Sequence, residues 1–173
     1  LVPLDQRTVV LPREVAIYCR GGKIHKENLI NAPLLTGVVR DERQINLASI
    51  ANISTVLRWV EELLNFWAQE PADALRAGGL GVRDLKIISN HLGVDESCTA
   101  FITELAFLTS LISVDSDDRI MPSNKFDVWL MQTPADRWQA LAAAWLITSR
   151  ASGLVGRAEA KNVAALGPEL DRV

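Results

Sequence analysis

The segment Gly81–Leu130 constrains this chain more than any other. It reads GVRDLKIISNHLGVDESCTAFITELAFLTSLISVDSDDRIMPSNKFDVWL. Leu85, Ile88 and Leu92 recur at helical spacing and Gly93 stands just past them, which predicts a helix over Val82–Leu92 with the glycine as its left-handed stop. Asp95 then caps a longer helix whose inward face is Cys98, Phe101, Leu105, Leu108 and Ile112. LISV and DRIM follow as two short strands joined across Asp115-Ser116-Asp117-Asp118. Helix, turn, helix and hairpin is the order of a winged helix-turn-helix. The expected fold class is therefore mainly α with a small β component, a winged helix-turn-helix with additional packed helices.

The flanks supply those helices. Residues 8–11 (TVVL) read as a strand, and Pro12 as the first residue of a helix, PREVAIYCR, stopped by Gly21-Gly22. Residues 23–41 show no sustained period and read as loop. Asp41 with Gln44 resembles a capping box, and from there Ile50, Ile53, Leu57, Val60, Leu64 and Trp67 fall at alternating steps of three and four, a core stripe ended by Pro71. Pro71–Arg76 reads as one or two helical turns, and Gly78-Gly79-Leu80-Gly81 as helix termination and a tight linker. Ser123 caps a short helix with Phe126, Trp129 and Leu130; Thr133 with Pro134 starts a strong one, in which Trp138, Leu141 or Ala142, and Trp145 share a core face. The organisation expected is 1–43 as an N-terminal α/β segment, the end of a preceding unit; 44–71 as a long connecting core helix; 72–150 as the winged-helix domain with its C-terminal helices; and 151–173 as a linker or tail. A chain opening on Leu1 in what reads as mid-strand is expected to be part of a longer protein.

Charge bears on what such a module can hold. The net charge is −3, and residues 81–132 carry four Lys or Arg against eight Asp or Glu. The winged-helix stretch is thus the most acidic part of the chain, whereas phosphate attraction supplies most non-specific DNA affinity. Base edges are read by side chains such as Arg, Lys, Asn and Gln. None occurs between Asp95 and Ile112. Candidate nucleic-acid contacts are therefore Arg83 and Lys86 on the first helix, Arg119 and Lys125 beside the hairpin, and the cluster Arg20, Lys23, His25 and Lys26. The small, weakly polar face Thr99, Thr103, Phe107 and Ser110 suits another protein surface instead.

Other chemistries find little support. The histidines, His25 and His91, lack metal-ligand spacing, and neither GxSxG nor HExxH occurs. Gly21-Gly22-Lys23 is followed by Ile24 where a phosphate loop needs Ser or Thr, and the acidic hairpin turn lacks the Gly and Glu of a calcium loop. No catalytic residue, metal, cofactor or small-molecule substrate is expected. Cys19 and Cys98 sit at apolar helical positions and read as buried reduced thiols of a cytoplasmic protein. No run of about 18 apolar residues is present to span a membrane as a helix.

Taken together, LPREVAIYCRGG, RWVEELLNFWAQEPADALRAGGLGVRDLKIISNHLGVDE, TPADRWQALAAAWL and LVGR resemble a bacterial family of helicase-associated winged-helix proteins, related to the N-terminal region of XPB-type DNA repair helicases. The resemblance covers most of residues 9–157, and LRAGGLGVRDL is its most specific part. It implies a non-catalytic module of a bacterial, cytoplasmic, helicase-associated protein, partnered by a helicase-like domain of the same or another chain. Weak or non-specific contact with duplex DNA in a DNA-repair or helicase context is one expectation; a protein-interaction scaffold that does not bind DNA is the other.

Overall fold

The computed structural model describes residues 2–3, 7–22, 37–155 and 163–171. The chain divides into two compact units, residues 1–39 and 40–173. The expected boundary after residue 43 thus falls at Val39, because the cap residue Asp41 belongs with the helix it starts.

In the first unit, β1 (Val2–Pro3) pairs antiparallel with β2 (Val9–Val10), Val2 opposite Val10 and Pro3 opposite Val9. Helix α1 (Arg13–Cys19) follows, with Pro12 as its cap rather than its first helical residue. Gly21 and Gly22 end it at φ 65° and 79°, in the left-handed region where glycine has no steric penalty. No residue of α1 is buried. Cys19 is exposed, contrary to the expectation of a buried thiol. Lys23, His25 and Lys26 lie outside the described residues.

The second unit is built on α2 (Glu42–Gln69), 28 residues long. Asp41 caps it by accepting the amide of Arg43 at 3.3 Å. Its predicted stripe holds from Ile53, which packs partly buried against the core, to Trp67. Leu57, Val60, Leu63, Leu64 and Trp67 are buried, but every residue from Glu42 to Asn52 is exposed, Ile50 at 61%. Beyond it come β3 (Ala72–Asp73), α3 (Val82–Leu92), α4 (Glu96–Leu108), β4 (Ile112–Val114), β5 (Arg119–Pro122), α5 (Asn124–Leu130) and α6 (Pro134–Ile147). The outcome is a mainly helical unit with one small antiparallel sheet in the order β3-β5-β4.

The helical turns expected over Pro71–Arg76 are replaced by β3. Pro71 has no N–H to extend α2, and the free edge of β5 pairs with the next residues: Ala72 lies opposite Ile120 and Asp73 opposite Arg119. On the other side β5 pairs with β4, Ile112 opposite Pro122 and Val114 opposite Ile120. Helix α3 ends at Gly93, φ 67°, as its sequence predicts. Helix α4 stops before Ile112, because the Thr109 hydroxyl turns back on the carbonyls of Leu105 and Ala106 at 2.7 and 3.1 Å and Ser110 adopts φ 58°. Ile112 is buried as a strand residue instead.

After α6 the chain does not leave the unit. Arg150 pairs with Asp171 and Leu80 with Ala165 in isolated bridges, while Val155, Ala165 and Leu170 join the apolar core. In its described residues, the segment expected to be a linker or tail is packed structure.

Candidate functional site

Helix α4 is the element expected from the sequence as the second helix of a helix-turn-helix. Asp95 caps it by accepting the Cys98 amide at 2.8 Å, and Glu96 complements the positive end of the helix. Its middle is buried on all sides: Thr99, Ala100 and every residue from Ile102 to Ala106. It packs against α2, α3, α6, β4 and the turn at Ser152–Leu154. The proposed interface Thr99, Thr103, Phe107 and Ser110 is corrected accordingly. Thr99 and Thr103 are covered by the chain itself, and only Phe107 and Ser110 reach the surface.

Two of the covered groups are polar. The Thr99 hydroxyl donates to the Asp95 carbonyl at 2.9 Å. The Thr103 hydroxyl is fully buried with no hydrogen-bond partner among the described residues. Glu104 has its side chain 2% exposed and takes the most elaborate set of partners. The Arg150 guanidinium donates Nε to Oε2 at 2.7 Å and Nη2 to Oε1 at 3.2 Å, and the Leu166 amide donates to Oε1 at 2.5 Å. Arg150 goes on to the Gly167 carbonyl at 3.0 Å and to Asp171 at 2.9 Å, and lies 5.1 Å over the Phe107 ring. Its hydrogen bonds to Glu104 hold the guanidinium pKa above the ordinary value; burial opposes them, while the charge of Glu104 and the contacts of Asp171 add to them. Glu104, in the middle of FITELAFL, carried the one available sequence signal: a carboxylate inside an apolar helical run needs a partner. Nothing local named Arg150 as that partner.

The described members of the predicted cation set lie on several elements. Arg83 and Lys86 are exposed on α3, Lys125 at the start of α5, and Arg20 beyond α1 in the other unit. Arg119 is engaged by the hairpin's own acids, Asp115 at 2.8 Å and Asp117 at 3.6 Å. Lys125 borders an open cleft of about 410 Å³ whose other walls include Thr109, Asn124, Val128 and Trp129. Nearby, Arg137 pairs with Glu61, lies 5.0 Å over the Trp129 ring and accepts the Trp129 indole N–H on its carbonyl at 3.3 Å. That cluster joins α2, α5 and α6.

The exposed apolar surface is more coherent than the charged one. Residues 44–57 carry no charge, and the hydroxyls of Ser49, Ser54 and Thr55 turn back onto carbonyls of their own helix at 2.8, 2.9 and 3.0 Å. What α2 presents there includes Ile45, Leu47 and Ile50. Helix α6 meets α2 at Arg137–Glu61 and around a small apolar cavity that Val56 and Trp145 both line. Its far end, with Trp145 at 52% and Leu146 and Ile147 more exposed still, therefore lies toward the uncovered half of α2. A metal centre finds no support: among the described residues no three His, Cys, Asp or Glu side chains gather to hold an ion. The Cys98 thiol is pushed up in pKa by burial and by Asp95, away from nucleophilic reactivity. Among the described residues no helix is long and apolar enough to cross a membrane. In comparison with known proteins, the chain matches no family model, no curated protein and no solved structure.

Proposed function

We propose that this chain is a non-catalytic winged-helix module of a helicase-associated protein, working as an interaction scaffold rather than as a reader of DNA. The order α2-β3-α3-α4-β4-β5, with the sheet arranged β3-β5-β4, supports the winged-helix reading. The sequence resemblance supports the helicase context and names the partner class, a helicase-like domain of the same or another chain.

The observation that carries the scaffold reading is the enclosure of α4. The element that would meet bases is the centre of the core. The hairpin that would meet phosphates ends in aspartates that already hold Arg119. In contrast, the uncharged first half of α2 and the end of α6 present aliphatic and indole surface, which is what a protein partner buries.

Titration of a fluorescent duplex at about 50 mM salt tests this. Non-specific DNA binders reach dissociation constants of about 10⁻⁴ to 10⁻⁶ M even at physiological salt. The expected result is no saturable binding in that range, and no change for the Arg83→Ala, Lys86→Ala double variant. Micromolar affinity that falls steeply with salt and is lost in the double variant would establish DNA contact through α3 instead. On the protein side, Leu47→Glu and Trp145→Glu are expected to abolish association with a co-expressed helicase-like domain while leaving the fold intact.

A further inference from the structure

The segment 163–171 lies against α4 through a small number of convergent contacts. Leu80 donates its amide to the Ala165 carbonyl at 2.7 Å, and Ala151 donates to the Leu170 carbonyl at 2.9 Å. The remaining polar links all run through one group: Glu104 accepts from Leu166 directly and holds the Arg150 guanidinium that reaches Gly167 and Asp171. Two side chains of the segment, Ala165 and Leu170, are fully buried, and Val163 and Leu166 pack against the core partly buried.

Its path explains the glycines that precede α3. Gly79 sits at φ 94°, and a Cβ there would fall 2.9 Å from the Ala165 carbonyl oxygen and 2.9 Å from the Gly167 nitrogen. Only glycine lets the two backbones approach this closely. The segment itself is strained, since Leu166 adopts φ 62°, a left-handed conformation that aliphatic residues avoid. Such a conformation persists only where the surroundings impose it. Here the imposing contact is the Leu166 amide bonded to Glu104.

We propose that residues 163–171 form a releasable strap, latched by Glu104 and Arg150, which opens as a unit while α2, α3, α4 and the sheet stay folded. A buried ion pair fixes geometry more than it adds stability, because desolvation of both charges offsets their attraction. The latch therefore specifies the closed state without making it permanent, and strain at Leu166 favours release. Closed, the strap covers Glu104 and the backbone edge at Leu80. Open, it exposes a carboxylate and frees the Leu80 amide, a surface suited to an extended segment carrying an arginine.

Native-state hydrogen exchange on the full chain tests the strap, and its outcome is independent of whether the module binds DNA or protein. The amides of Leu80, Ala151 and Leu166 are expected to exchange at one shared opening equilibrium, at least about 10-fold less protected than Val60 and Leu64 in α2. Glu104→Gln is expected to lower their protection by about 100-fold and leave Val60 and Leu64 unchanged, the size of effect a broken charge-assisted link gives. Gly79→Ala, which blocks the close approach without touching the ion pair, is expected to expose the same three amides. Exchange of the three amides together with the α2 core in the native chain would overturn the proposal. So would loss of α2 protection in parallel in either variant.

Discussion

Helix α4 and the first half of α2 invert what their sequences promise. The outer face of α4 carries threonines and a glutamate, yet the helix is buried from Thr99 to Ala106 except for the partly covered Phe101. The first half of α2 carries Ile45, Leu47 and Ile50, yet every residue from Glu42 to Asn52 is exposed. Periodicity states which side chains gain by leaving water; it does not state whether the chain supplies a cover. For α4 the cover comes from distant segments, and the polar groups are satisfied one by one: Thr99 by its own helix, Glu104 by Arg150 and Leu166. For α2 no described residue of its own unit covers residues 42–52, and a surface left in that condition suits a partner.

The sharpest way to break this contrast is to place charge on both helices. Thr103→Arg puts an unpaired guanidinium at a site with no exposure, and the expected outcome is failure to fold or a loss of more than about 4 kcal/mol. Urea denaturation measures it, and near-native stability would mean that α4 is open in solution. Truncation gives the next largest difference. Leu64→Ala, in the buried half of α2, is expected to cost about 2–5 kcal/mol, whereas Leu47→Ala in the exposed half is expected to change stability by no more than about 0.5 kcal/mol. Equal costs at the two positions would mean that the first half of α2 is covered within the folded chain.

Local chemistry made much of the second unit legible. Asp41, Asp95, Ser123 and Thr133 each accept an amide in the first turn of the helix that their sequence marks, and Gly93 takes the left-handed stop. The hairpin across Asp115–Asp118 lies where alternation and turn residues put it. The misses share a physical cause, since each depends on a partner far along the chain. Ala72-Asp73 has no strand character of its own and is extended because β5 offers an edge. Gly78-Gly79 reads as a linker until the strap passes across it. Thr99, Thr103 and Glu104 fall on the polar side of α4 by spacing, and what covers that helix comes from elements distant in sequence. The same limit affects the candidate site. Individual cations and the elements that carry them were visible in the sequence, but the engagement of Arg119 by Asp115 and Asp117 was not.

Thr103 offers a gentler measure of how completely α4 is enclosed. Its hydroxyl is buried without a partner among the described residues, so Thr103→Val, which keeps the shape and removes the unsatisfied group, is expected to raise stability by about 1 kcal/mol in urea denaturation. A loss instead would mean that the hydroxyl has a partner in solution, such as a bound water.

The hairpin turn supplies the smallest effect and the opposite pole of the comparison, polar groups organised at the surface. Asp115 accepts the amides of Asp117 and Arg119, both at 2.9 Å, and pairs with the Arg119 guanidinium. Chiefly through the Arg119 amide, these contacts hold its carboxyl below the ordinary value of 3.8. A carboxyl whose pKa is depressed by folding contributes stability above its unfolded pKa, and the contribution is lost as pH falls through the folded one. The Asp117 and Arg119 amide resonances are therefore expected to shift in acid with a midpoint below 3.8, while those of Ile102 and Leu105 in α4 stay fixed. A midpoint at or above 3.8 would show that the turn is not held by Asp115. Movement of the α4 resonances in the same step would show that hairpin and core are coupled, removing the distinction between an independently ordered turn and an enclosed helix.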